Sequence, residues 1–110
     1  MRIFKTPIIR HRADMYLLNV NYRRPPAEVE PHVAPHGAWV KQHFETGEFL
    51  LGGPKPSGLG GAILTRAIDR AALRAMLATD PYVVSDVAEY EIIEFVCKAT
   101  TPALVALKES

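Results

Sequence analysis

Apolar residues dominate Met15 to Tyr22 (MYLLNVNY), a run rich in residues that favour a pleated, half-buried surface. This predicts a first strand, closed by Arg23-Arg24-Pro25-Pro26. The pattern then becomes helical, with Pro31 and Pro35 in its first half. Proline lacks an amide donor and is tolerated only near a helix start, so the reading is a loose turn over 27–33 and a helix over 34–46. Val33, Val40 and Phe44 form a stripe expected to face the core, and Gly47 stands where a C-cap belongs. Residues 48–53 (EFLLGG) predict a second strand, 54–58 (PKPSG) a loop, and 60–67 (GGAILTRA) a third strand paired antiparallel with the second.

Asp69 is a plausible N-cap for the helix-forming run RAALRAMLAT, with Leu73, Met76 and Leu77 on one face. Asp80-Pro81-Tyr82 reads as a second start signal, a capping Asp followed by Pro at the first helical position. A last strand is expected within Val87 to Ala99, leaving a short amphipathic tail. The order is β-α-β-β-α-β, which predicts an α+β, ferredoxin-like fold with an antiparallel sheet and both helices on one face. Its other face would carry apolar residues, so a homodimer is the expected way to cover it.

Composition narrows the function. The chain has 110 residues, about one domain, with 48% hydrophobic and 23% charged residues. The expected organisation is an arm over 1–14, a domain over 15–99 and a tail over 100–110. A net charge of +1 argues against a dedicated nucleic-acid binder, although Arg2, Lys5, Arg10, His11 and Arg12 crowd the arm. No run is long and apolar enough to span a bilayer and no signal peptide is visible, so a soluble cytoplasmic protein without membrane association is expected. Cys97 is the single cysteine, read as a buried inert thiol in the last strand.

The residues offer a limited set of chemistries. His36, just after Pro35, falls in the first turn of its helix, where unpaired amides and the helix dipole favour a neutral ring able to accept a proton. The plainer account is a packed, hydrogen-bonded His. Asp80 is accounted for as a helix cap. On one continuous helix His32, His36 and His43 would share a face. However, His36 and His43 would stand about 10 Å apart, and Pro35 breaks the helix before His32, so no metal is expected. Gly52-Gly53-Pro54 and Gly60-Gly61 lack the Lys-Ser/Thr ending of a phosphate loop. Ser57 has no base beside it in sequence. No cofactor motif is present. Tyr16, Trp39 and Tyr82 are the aromatic candidates for a pocket wall around a small-molecule ligand.

Three segments resemble the YciI-like (YCII-related) family. PHGAWVKQHFETGEFLLGGP repeats its pattern of a His near the start of the first helix, a Gly eleven residues on, and a strand ending in Gly-Pro. TDPYVVSDVAEYEIIEF is similar to its Asp-Pro-Tyr region leading into the last strand, and MYLLNVNY fits its first strand. The resemblance implies a dimeric α+β barrel and an active site of one His and one Asp, which fall on His36 and Asp80. It implies general acid/base chemistry without metal or cofactor. Most members have no assigned reaction, and a few relatives dehydrochlorinate hydroxyquinol-type aromatics. The segment between strands two and three is shorter here than in some relatives, so the substrate does not carry over. A non-catalytic binding or accessory module is the alternative.

Overall fold

The computed structural model describes residues 13–108; the basic cluster of the N-terminal arm lies outside them. Four strands, β1 (Met15–Tyr22), β2 (Phe49–Pro54), β3 (Gly60–Thr65) and β4 (Ala88–Phe95), form one sheet of order β2-β3-β1-β4. Every neighbouring pair is antiparallel. With the helices between them, this is the ferredoxin-like α+β arrangement read from the order of elements. Strand β1 is paired on both edges, and its alternation puts Tyr16, Leu18 and Val20 on the covered face. Register places Leu18 opposite Ile63 and Ile92, and Val20 opposite Gly61 and Tyr90.

The segment between β1 and β2 is more ordered than a loose turn. A short helix α1 (Pro26–Val29) and a 3-10 turn (Glu30–His32) lead into α2 (Val33–Glu45). The prolines lie near starts, Pro26 first in α1, Pro31 second in the 3-10 turn and Pro35 third in α2. Helix α3 (Arg70–Leu77) begins at Asp69, whose carboxylate accepts the amide of Ala72. Leu73 and Leu77 are buried from it. Helix α4 (Pro81–Val84) begins at Asp80.

Of the stripe expected to bury α2, only Val40 is partly buried against the core. Val33 and Phe44 are 43% and 36% exposed, and the buried residue of this helix is Trp39. The helix rolls so that the indole packs edge-on to Phe49 of β2 and its Nε1 donates to Thr79 Oγ1 at 2.9 Å. An indole buries more area than a valine, and its N–H finds an acceptor on that side, which decides the orientation. The main core is therefore Tyr16, Leu18, Trp39, Phe49, Ile63, Ile68, Leu73 and Leu77. A second cluster joins Val20, Val29, Tyr82, Val87 and Ala88. Cys97 lies beyond the end of β4 and is half-buried, because pairing stops at Phe95.

Among the described residues much of the sheet's other face is open, although Met15 at one end of it is buried. Leu17, Leu51, Ile93 and Phe95 project from it and are all substantially exposed. Among the described residues no helix is long and apolar enough to cross a membrane.

Two local features carry testable consequences. Gly60 opens β3 at φ +146°, and a Cβ there would stand 1.9 Å from the carbonyl oxygen of Val20. Gly60→Ala should destabilise the fold by about 2 kcal/mol or more, seen as a lowered urea midpoint. At the end of α2, Gly47 takes φ +91° and turns the chain so that Glu48 meets Thr46 and His43. The Thr46 hydroxyl, then His43, hold the Glu48 carboxyl below the usual carboxylate value of 4.5. A depressed folded value favours folding above the unfolded value, and the gain is lost as pH falls through the folded one. Glu48→Gln should thus be less stable than wild type at neutral pH, and the gap should close as pH drops below 4.5.

Candidate functional site

Beneath α2 the covered face of the sheet runs out of side chains. Gly52 pairs with Ile63, and Gly61 with Val20, so both glycines lie on that face. The result is a cavity of about 270 Å³. Its floor is Val20, Ile63 and these glycines; its wall is His36, Gly37, Val40 and Phe44 of α2; Tyr22 and Tyr82 close one end. Phe44 thus serves the cavity, and Val40 borders both the cavity and the core. None of the described lining residues is Lys, Arg, Asp or Glu.

His36 and Asp80, 44 positions apart, meet at the tyrosine end of this cavity. His36 Nδ1 is 2.7 Å from Asp80 Oδ1. The imidazole side chain is 17% exposed and the carboxylate 0%. Two features of the sequence build the contact. Asp80 is turned inward by its capping role, since Oδ1 also accepts the Tyr82 amide at 2.9 Å. His36 is placed a turn inside α2, on the side that looks over α4. Tyr82 then stacks flat on the imidazole, ring centroids 3.8 Å apart and planes 2° from parallel. Tyr90 of β4 completes the carboxylate, donating its hydroxyl to Oδ2 at 2.6 Å.

Asp80 thus accepts from His36, Tyr82 and Tyr90. When the carboxylate is charged Nδ1 is the donor, and in the neutral imidazole Nε2 then carries the lone pair. No described residue bonds Nε2. Burial, then hydrogen bonding to Tyr22, pushes the Tyr82 phenol far above its ordinary value. Burial, then the charge of Asp80, does the same for Tyr90. Both phenols are therefore protonated donors throughout the neutral range.

The other residues singled out in the sequence fall in different places. Trp39 does not line the cavity; it stands behind His36, the rings 6.1 Å apart, with the indole in the core. Tyr16 is buried at the far end of the core, beside a separate recess of about 150 Å³ with Arg70 and Glu94. Its distance from the cavity follows from strand length: three inward steps along β1 separate Tyr16 from Tyr22, which does line it. Burial, then Glu94, raises the Tyr16 phenol. His43 pairs with Glu48 at the other end of α2, and His32 with the exposed Ser85 hydroxyl at 3.1 Å. Neither histidine lines the cavity. Among the described residues no three His, Cys, Asp or Glu side chains converge to hold a metal ion.

Tyr90 and Tyr22 do not stand out in the sequence as site residues. Both carry a signal nonetheless: a tyrosine at an inward position of a strand brings a hydroxyl that needs a partner in the interior.

A comparison with solved structures finds the same fold in a 5-chloro-2-hydroxyhydroquinone dehydrochlorinase, TftG of Burkholderia phenoliruptrix AC1100, in complex with 2,5-dihydroxybenzoquinone. The TM-score is 0.63 over 76% of this chain and 94% of that one, at 15% identity, a likeness of fold alone. A search of curated proteins gave no match. The YCII-related domain matches residues 15–96, which is most of the chain, and the protein belongs to that family.

Proposed function

We propose that the protein is a small-molecule enzyme in which His36 is the general acid/base and Asp80 its orienting partner. The observation that carries this reading is the 2.7 Å contact between Nδ1 and a fully buried carboxylate, made by an imidazole that borders a cavity. Nε2 takes a proton from a bound carbon or hydroxyl acid. Asp80 stabilises the imidazolium that results, and the stack with Tyr82 keeps the ring in one plane. Return of the proton to another atom gives isomerisation; departure of a leaving group gives elimination. Neither outcome calls for a metal or an organic cofactor.

The cavity favours a small uncharged molecule. It offers apolar walls, a flat glycine floor, and polar groups only near His36, Tyr22 and Tyr82. A hydroxylated or carbonyl-bearing ring fits that description, the class to which the ligand of the TftG structure belongs. A soluble cytoplasmic homodimer is the working form in this reading. Two copies would pack their uncovered sheet faces together, burying Leu17, Leu51, Ile93 and Phe95 at the usual sheet-to-sheet spacing of about 10 Å.

A second reading, a binding or accessory module, rests on the absence of a further reactive side chain on the described cavity wall. The two are separated by incubating the protein with chlorinated hydroxyquinols and cyclic hydroxyketones and measuring product formation by chromatography. Turnover should fall by about 100-fold or more in His36→Ala, with the circular dichroism spectrum unchanged. A fully active variant would remove His36 from the mechanism. Saturable binding with the ligand recovered unchanged would favour the module. For the assembly, Leu51→Glu with Ile93→Glu should convert a dimer to a monomer in light scattering.

A further inference from the structure

We infer that Tyr90 is a positioning residue for the proposed acid/base pair, acting through Asp80 to limit how strongly the carboxylate holds a proton on His36. The inference rests on the functional reading above and assigns a third residue to it. Tyr90 reaches Asp80 from β4, the edge strand, and touches the carboxylate through the oxygen that His36 does not use. The two sides therefore compete for one negative charge. A hydroxyl at 2.6 Å on Oδ2 draws charge away from Oδ1, where His36 is bound.

The geometry fits this role better than simple packing. Of the three residues bonded to Asp80, Tyr90 alone does not line the cavity. The Tyr82 amide belongs to the cap and would be present for any Asp at a helix start. The phenol is not required by the cap. Tyr90 lines a separate open groove of about 350 Å³ between α3, α4 and β4. Its hydroxyl bonds the buried carboxylate. Other titratable groups in contact with the pair are Tyr82, stacked on His36, and Tyr22, bonded to Tyr82; Glu30 acts on Tyr82 from farther off. All of these are unchanged by removing one oxygen atom at position 90.

The same charge balance gives the effect its sign. Without the phenol, Oδ1 is still fixed by the Tyr82 amide and the cap, so the carboxylate stays in place. It then carries more charge toward Nδ1 and holds the imidazolium more firmly.

The experiment is an NMR titration of the His36 ring in the full chain, in wild type, Tyr90→Phe and Asp80→Asn. Asparagine keeps the cap and removes the charge. The ring midpoint should move to higher pH in Tyr90→Phe and to lower pH in Asp80→Asn. A fluorinated tyrosine placed at 90 donates more strongly and should move the midpoint down, a check that does not depend on Tyr90→Phe folding well. If Asp80→Asn leaves the midpoint where it was, the pair itself fails. If Asp80→Asn lowers it but Tyr90→Phe leaves it unchanged or lowers it, the pair stands and the role given to Tyr90 is overturned.

Discussion

The carboxylate of Asp80 is the constraint on which the site depends. A charge taken wholly out of water costs several kcal/mol or more unless it is met by hydrogen bonds, and here three donors meet it. Those donors come from α2, the start of α4 and β4, so one side chain ties three separate parts of the chain together. Satisfying Asp80 therefore fixes where α2 lies over the sheet. That position in turn sets the width of the space between α2 and the glycines of β2 and β3.

The cavity is a consequence of what the sheet lacks. A Cβ at 52 would stand 2.7 Å from the carbonyl oxygen of Ala62, and one at 61 would stand 2.9 Å from that of Gly53, so side chains at either position would crowd the paired strands. Gly52 and Gly61 instead leave bare backbone on the covered face, and the cavity forms where side chains are missing. Gly60 shows that the close approach is also required by the strands: no side chain fits between it and the carbonyl of Val20. The same hairpin thus supplies both the tight pairing of β3 with β1 and the floor of the cavity. The polar end of the cavity is then the end nearest α4, because only there does a buried acceptor hold an imidazole in place.

Much of this is legible in the sequence. Apolar runs mark the strands, the helix-forming run after Asp69 and the proline after Asp80 mark the two caps, and the order of elements marks the fold. His36 and Asp80 stand out through the family resemblance, whereas the residues alone favour a packed His and a cap. The parts that are not legible depend on competition between side chains for one face. Val33, Val40 and Phe44 have the spacing of a core stripe, but Trp39 is larger and has an N–H to satisfy, so the helix turns the indole inward. Tyr16 and Tyr22 are alike in periodicity and differ only in how far along the strand they lie from α4. Tyr90 is hidden because its bond to Asp80 joins positions ten residues apart on different elements.

The cap of α4 and the partner of His36 are the same atoms, and this couples the fold to the site. Oδ1 accepts both the Tyr82 amide and the His36 ring, so the oxygen that starts α4 also orients the imidazole. Starting α4 places the Tyr82 ring flat against His36. The carboxylate thereby sets the plane of the imidazole twice, directly through Nδ1 and indirectly through the stack. A ring held on one edge by a charge and on one face by a phenol has a single free nitrogen and little freedom to turn it. Such preorganisation suits the proposed proton transfer, which requires the acceptor lone pair to be aimed before a small molecule arrives.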